Sequence, residues 1–461
     1  MKNKLYLRDN TEHHGNTDTH TADSVKITNK YSAFLKKISS CSIEKLNEDG
    51  NILVWPHSFK DCDGDFAKMK ILEYNDNEKI IHTTNLVGFI GEDNVEIEIT
   101  SRFSESGNEQ DFFLYYMLSK IFSANIVNME VGGGSLKELD LLLFVFPRLL
   151  KSAMQQGLYK EYVKKEYNDS NVRGIININQ HIRYNNPPNG RIAYTTREFS
   201  YDNDITQLIR HTIEYMSTIP MGRTLLNSDK EIERYVRQIV QVTPLYQKGE
   251  RRRIITANRI PLSHPYYNRY KALQQICLAI LRKEKMSHGS NSNQVHGLLI
   301  DIAWLWEEYI ANILQEHNAG FNHYTGKNSF KLFSNVDSNK SFQTVIPDYL
   351  HENNFVADAK YIPLHRYEHL DAERASAVYY KTIMYMYRFA TPKGFLFHPC
   401  SVTDENGNSV AYSEYEIANN NNCYLYKIGL VIPECNNFAE FKQGITFNET
   451  KFCEIIKKLT T

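Results

Sequence analysis

The chain has 461 residues, with 53 Lys and Arg against 54 Asp and Glu, giving a formal net charge of −1. Hydrophobic residues make up 42% and charged residues 23%, which excludes collagen-like, disulfide-scaffold and wholly disordered chains. At roughly 150 residues per domain this length implies about three domains. The near-zero charge excludes a polycationic nucleic-acid coat but not a local basic face.

Residues 1–27 read as a flexible polar tail, with too few apolar residues to fold alone. The tail holds His13, His14 and His20, whose geometry nothing in the sequence fixes. It lacks the apolar stretch of a signal peptide, and no run of the chain approaches the roughly 18 apolar residues of a spanning helix. The seven cysteines are scattered and form no CxxC, which fits neither a zinc site nor a secreted disulfide framework. The expected compartment is cytoplasmic, with no membrane partner. The 30 Tyr suit grooves and interfaces. A/T-biased coding, which enriches Tyr, Asn, Ile and Lys together, is the simpler source of that excess.

Residues 28–134 form a β-rich region. Asn51–Trp55, Lys79–His82 and Leu86–Ile90 are short apolar runs, and Asn94–Ile99 alternates apolar and polar residues as a half-buried strand does. The turn chemistry of Gly91–Asn94 makes Leu86–Ile99 a hairpin, with a helix expected over 110–122. Gly132–Gly134 is a flexible break and a subdomain boundary. It is not followed by GKS or GKT, and no Walker A pattern occurs, so this chain is expected to bind no nucleotide itself.

Residues 135–290 read as a mainly helical, basic middle region. A long helix over 136–156 is disrupted near Pro147, and Ile205, Leu208, Ile209, Ile213 and Met216 mark an apolar helical face. Segment 151–260 carries 18 Lys and Arg against 11 Asp and Glu. Arg173, Arg183, Arg191 and Arg197 alternate with Tyr184, Tyr194 and Tyr201, a mixture that suits phosphates and bases. A solvated, ion-paired surface reads equally well. Met286–Val295, rich in Ser and Asn, marks a linker before a final α/β domain over 296–461.

That last domain carries the chemistry. Two apolar strands, 342–350 and 354–361, are joined by a short turn, with Asp348 on the first and Asp358 and Lys360 on the second. Asp358 and Lys360 are two apart and share a face, and strand pairing brings Asp348 opposite them. Two carboxylates and an ammonium on an apolar surface are costly to bury unless a divalent cation sits between the acids. Mg²⁺ (or Mn²⁺) on Asp348, Asp358 and the Ala359 carbonyl suits phosphodiester hydrolysis, with Lys360 offsetting developing charge. Upstream, Ile302, Leu305, Trp306, Tyr309, Ile310 and Ile313 form one helical face. Helical geometry sets Glu307 at the edge of that face, as a further metal or catalytic acid, and Glu308 toward solvent. A surface hairpin with ordinary charges is the simpler alternative.

The pattern Pro347-Asp348 followed by Asp358-Ala359-Lys360 resembles the PD-(D/E)xK nuclease core. Trp304–Tyr309 (WLWEEY) resembles the helix that opens that core in McrC-type restriction subunits, including the LlaJI-like branch. Leu86–Ile90 and Val95–Ile99 are similar to N-terminal strands of McrC-like proteins. Arg173–Asn177 and Tyr201–Ile205 are similar to their central segment, so the resemblance spans roughly residues 85–400. It implies a multi-domain α/β fold: a β-rich N-terminal region, a helical middle and a C-terminal restriction-endonuclease-like domain. It also implies metal ligation by Asp348 and Asp358, catalysis by Lys360 and a helix acid at Glu307. Two positions depart from the pattern. Ser101-Arg102 stands where many relatives have Pro-Lys, and Lys381 replaces the Gln that often precedes Tyr385 by one helical turn.

The resemblance further implies a two-component restriction system, in which this subunit cuts double-stranded DNA and stimulates an McrB-like AAA+ GTPase docked on residues 28–134. Arg173, Arg183, Arg191, Lys381 and Tyr385 are the candidate DNA contacts. The alternatives are a non-catalytic adaptor that only activates the GTPase and a stand-alone DNA repair nuclease.

Overall fold

The computed structural model describes residues 3–15, 24–46, 52–55, 68–92, 95–104, 111–121, 138–286, 296–323, 330–336, 340–351, 354–362, 372–401, 410–418 and 422–460. The Gly132–Gly134 break and all but the first residue of the 286–295 linker lie outside the described residues, as does His20.

The N-terminal sheet has five strands, in the order Asn3–Arg8, Val95–Thr100, Leu86–Glu92, His296–Asp301 and Ile52–Trp55. Leu86–Glu92 and Val95–Thr100 pair antiparallel, so the expected hairpin forms. Two expectations fail here. The strand Asn3–Arg8 is no flexible tail: it pairs parallel with Val95–Thr100, setting Leu5 against Ile97 and Leu7 against Ile99, and both leucines enter the core. Their alternation anchors the segment although its composition is polar. His13 is buried, its Nε2 accepting from the Arg8 amide at 2.9 Å. The acids of Val95–Thr100 do not face water either. Glu96 and Glu98 are buried, and the Lys4 ammonium stands 3.5 and 3.3 Å from them.

His296–Asp301, expected to open the C-terminal domain, is instead an inner strand of this sheet, antiparallel to Leu86–Glu92 and parallel to Ile52–Trp55. Its close approach explains Gly88, where a Cβ would meet the Leu298 carbonyl oxygen at 2.1 Å and where φ is +127°. The strand runs without a loop into the helix Ile302–Glu316. The Asp301 carboxylate caps that helix, accepting from the Ala303 and Trp304 amides at 3.0 and 3.3 Å.

The middle region is helical as expected. Glu138–Met154 is one helix that keeps Pro147 inside it, and Ile205, Leu208, Ile209, Ile213 and Met216 are buried. It also contains an antiparallel sheet of three strands, Ile175–Ile176, Ile192–Ser200 and Glu161–Asp169, beside the short helix Ile178–Tyr184.

The C-terminal sheet has six strands, in the order Asn322–His323, Tyr349–His351, Phe355–Ala359, Lys393–Cys400, Tyr424–Val431 and Val410–Glu416. Alternate residues of its central strands go to opposite sides. Phe395 and Phe397 join the large core with Trp306 of the Ile302–Glu316 helix and Phe452 of the final helix, Phe438–Thr460. Leu396 and Val356 face the other way, toward the helix Ala372–Arg388. The strand Ser341–Val345 pairs with Phe330–Ser334 rather than with Phe355–Ala359, forming a separate two-stranded hairpin.

Candidate active site

Tyr349 pairs with Ala357 across the antiparallel Tyr349–His351 and Phe355–Ala359 strands, so the same register continued by one residue sets Asp348 across from Asp358. The Ala359 amide donates to Asp348 Oδ2 at 2.7 Å, fixing the first carboxylate against the backbone beside the second. Asp358 is fully buried. The Lys360 ammonium contacts its Oδ2, and Lys381 Nζ lies 3.3 Å from its Oδ1. Asp348, Asp358, Lys360 and Lys381 therefore meet at one place. Lys381, expected to face a phosphate, also neutralises a carboxylate of the site.

The electrostatics follow from this crowding. Burial, then the charges of Asp358 and Glu307, push the Asp348 carboxyl well above its ordinary range. Burial would push Asp358 up as well. The ammonium groups of Lys360 and Lys381, together with hydrogen bonds from Lys360 and Asp348, outweigh burial and hold it below the ordinary range. Two carboxylates this close repel one another's charge, and the two lysines on Asp358 leave the raised pKa to Asp348. Two hard carboxylate donors and the Ala359 carbonyl fit Mg²⁺ or Mn²⁺, which keeps several waters. Among the described residues, no group of three or more His, Cys, Asp or Glu side chains is clustered to hold an ion.

Glu307 is near enough to raise Asp348 but turns elsewhere. Its Oε1 lies 3.1 Å from His323 Nε2. Burial alone would lower the His323 pKa, but the hydrogen bond to Glu307 and the charges of Glu308 and Glu307 raise it. The Tyr349 hydroxyl donates to the Glu307 carbonyl, tying the helix to the sheet edge. His323 carries no spacing signal in the sequence; only the fold brings it to Glu307.

The expected DNA contacts divide. Tyr385 is buried, and its hydroxyl donates to the Ile346 carbonyl at 2.8 Å. It therefore positions the segment leading into Asp348 and cannot touch DNA. Arg173, Arg183 and Arg191 are exposed around the three-stranded sheet and its neighbouring helix. Arg173 and Arg183 lie over the rings of Tyr167 and Tyr184. Other cations of the middle region are ion-paired, Lys151 with Asp229 and Glu231, Lys165 with Glu198, and Arg253 with Asp204 and Glu250.

No helix among the described residues is long and apolar enough to cross a membrane. No curated protein matches the chain. A refined half-complex from the tetradecameric assembly of Thermococcus gammatolerans McrB AAA+ hexamers with bound McrC is similar at 14% identity and a TM-score of 0.45, covering 96% of this chain and 100% of that one. The cryo-EM structure of the Thermococcus gammatolerans McrBC complex is similar at 14% identity and a TM-score of 0.31, covering 70% of this chain and 90% of that one. The family model of the McrBC 5-methylcytosine restriction system component matches residues 81–399, from the N-terminal hairpin through the strand that flanks Asp358. With more than half of its length and both candidate acids inside that match, the chain belongs to the McrBC 5-methylcytosine restriction system component family.

Proposed function

We propose that this chain is the McrC-type, Mg²⁺-dependent DNA endonuclease subunit of a two-component restriction system, its C-terminal domain a PD-(D/E)xK nuclease. The carrying observation is the register that sets Asp348 across from Asp358, with Lys360 and Lys381 on the second acid. When bound, Mg²⁺ or Mn²⁺ would supply Lewis acidity and positive charge toward a phosphodiester. Asp348, Asp358 and the Ala359 carbonyl would hold it. The Ala359 amide keeps Asp348 in place, and Lys360 and Lys381 present positive charge where a scissile phosphate gains negative charge. Glu307, steadied by His323, tunes Asp348 from the helix side.

Family membership makes an McrB-like AAA+ GTPase the partner, since this chain contains no Walker A pattern. We place docking on the three-stranded sheet and the helix Ile178–Tyr184, beyond the 28–134 region read from sequence. There Tyr162, Ile175, Ile178 and Ile182 are between 60% and 79% exposed, apolar side chains that a partner would cover.

The test is cleavage of methylated and unmethylated duplex DNA with and without Mg²⁺, GTP and the partner. Asp358→Ala and Lys360→Ala should each abolish cutting while partner binding persists. Full cutting by a stably folded Asp358→Ala protein refutes the reading. A non-catalytic adaptor is the second reading, favoured by the pairing of both Asp358 oxygens with lysines. It predicts GTPase stimulation with no metal-dependent cutting by the intact chain. Deleting 296–461 does not test it, because His296–Asp301 is an inner strand of the N-terminal sheet. A stand-alone repair nuclease would cut without any partner.

A further inference from the structure

The hairpin of Phe330–Ser334 and Ser341–Val345 stands apart from both large sheets, and its two faces differ. Phe330, Leu332 and Val345 pack inward with Tyr385, Met386 and Phe389 of the Ala372–Arg388 helix and its end, Phe330 meeting Phe389 edge-on at 4.9 Å. The outward face carries Phe333 and Phe342 as cross-strand partners, their rings 5.3 Å apart, each just over half exposed. Lys331 and Lys340 are exposed beside them. Arg388 Nε donates to the Lys331 carbonyl at 2.6 Å, clamping the hairpin to the helix.

Charge, exposed rings and position together point to the occupant. The described hairpin residues 330–336 and 340–347 carry Lys331 and Lys340 and no Asp or Glu, Arg388 stands at the end of the packed helix, and the residues between the strands add one acid in sequence, Asp337. Lys331, Lys340 and Arg388 around an exposed ring pair give a local cationic excess that suits a polyanion. The paired exposed aromatics beside these cations suit contact with base faces. The position fits as well. Val345 is three residues from Asp348, at most about 10 Å of chain, less than the width of a B-DNA major groove. The Tyr385 hydroxyl pins the intervening Ile346 carbonyl, so the hairpin cannot swing independently of the site.

We propose that the outward face of this hairpin is a double-stranded DNA-binding element, seating Lys331 and Lys340 on phosphates and driving the Phe333–Phe342 pair against a base step beside the cut. The placement beside a cut rests on the nuclease reading; the binding itself does not.

The test uses the full chain and a duplex oligonucleotide carrying 2-aminopurine. Replacing Phe333→Ser with Phe342→Ser should weaken duplex binding by roughly tenfold or more and abolish the 2-aminopurine signal seen with wild type. Replacing Lys331→Gln with Lys340→Gln should reduce the slope of log affinity against log salt by about 2, near 0.9 per phosphate contact. Both pairs should keep the wild-type thermal midpoint and metal-dependent hydrolysis of bis(p-nitrophenyl) phosphate, which needs the acids but not the hairpin. Variants that bind duplex as wild type does overturn the proposal and leave the nuclease reading standing. Variants that lose GTPase stimulation yet bind DNA normally also overturn it, assigning the face to the partner protein. A wild-type chain that hydrolyses neither substrate but binds DNA through the hairpin refutes the nuclease reading and supports this one.

Discussion

The Arg102 guanidinium lies over the ring of Tyr361, 4.7 Å from its centroid, and Tyr361 directly follows Lys360. Arg102 comes from the loop after the N-terminal hairpin, where it also donates to the buried Asp9 carboxylate through its backbone amide and its guanidinium. Tyr361 also meets Phe103 edge-on at 5.9 Å, and Trp306, the neighbour of Glu307, at 6.4 Å. The N-terminal sheet thus touches the residues adjoining both the lysine and the helix acid of the site.

Arg102 is therefore not a partner contact, as a departure from the family's Pro-Lys left open, but an internal strut. Arg102→Ala leaves Asp9 buried without its cation and should cost about 3–5 kcal/mol of stability. Replacing Arg102→Met together with Asp9→Asn removes both charges and should recover most of that loss. Cleavage should stay reduced in the double variant, because no guanidinium then lies over the Tyr361 ring. Chemical denaturation and DNA cleavage measured on the same three proteins check this, and wild-type cleavage by the double variant would show that the contact does not position Lys360.

Tyr385→Phe removes only the hydroxyl that holds the Ile346 carbonyl. A lost hydrogen bond of this kind should cost about 1 kcal/mol. Because Ile346 lies two residues before Asp348, cleavage should fall by more than that small loss of stability implies. Duplex affinity should hold, since Tyr385 is buried. A fall in affinity with unchanged turnover of bound DNA would contradict this role.

Much of the site was legible because a strand fixes its own geometry. Asp358 and Lys360, two apart, had to share a face, and any antiparallel partner reading Pro-Asp had to bring Asp348 near them. Glu307 was placed correctly at the rim of the apolar helical face, but its partner, His323, follows only from the chain's return as the edge strand Asn322–His323. The domain boundary was misread for a related reason. His296–Asp301 adjoins the acid helix in sequence, while its hydrogen-bond partners lie more than 200 residues upstream. Composition misled at Asn3–Arg8, where two alternating leucines outweighed the polar residues around them. It misled again at Glu96 and Glu98, which alternate as solvent-facing residues do yet are buried beside Lys4.

A second internal knot joins three helices, Phe112–Ile121, Ile302–Glu316 and Phe438–Thr460. The Glu449 carboxylate, in the final helix, accepts from the Tyr309 hydroxyl at 2.8 Å and the Tyr116 hydroxyl at 3.1 Å, with the Lys120 ammonium at 3.4 Å. Burial raises its pKa against the opposing pull of Lys120 and the two hydroxyls. Glu449→Ala leaves the Tyr309 hydroxyl without its acceptor, while Lys120 keeps Glu316 at 2.6 Å and Tyr116 keeps Thr446 at 3.3 Å, and should cost about 2 kcal/mol. Tyr309→Phe should cost nearer 1 kcal/mol. In a double-mutant cycle the two losses should fall short of additive, and strict additivity would show that the hydroxyl gains nothing from the carboxylate.

The middle region carries an acid-sensitive residue. His211 is fully buried against Tyr246, with ring centroids 4.6 Å apart, and neither ring nitrogen has a hydrogen-bond partner among the described residues. Burial, then the charges of Arg251, Arg210 and Arg253, lower its pKa from 6.5 to about 4. Protonation therefore favours the unfolded chain. The contribution of neutral His211 is complete above the unfolded pKa of 6.5 and is lost progressively as the pH falls toward about 4. That shift sets a loss of up to about 3 kcal/mol. His211→Leu, which cannot take the proton, should lose less stability than wild type between about pH 7 and about pH 4.5. Thermal midpoints across that window decide the matter, and parallel curves for the two proteins would show that His211 is not the group that titrates.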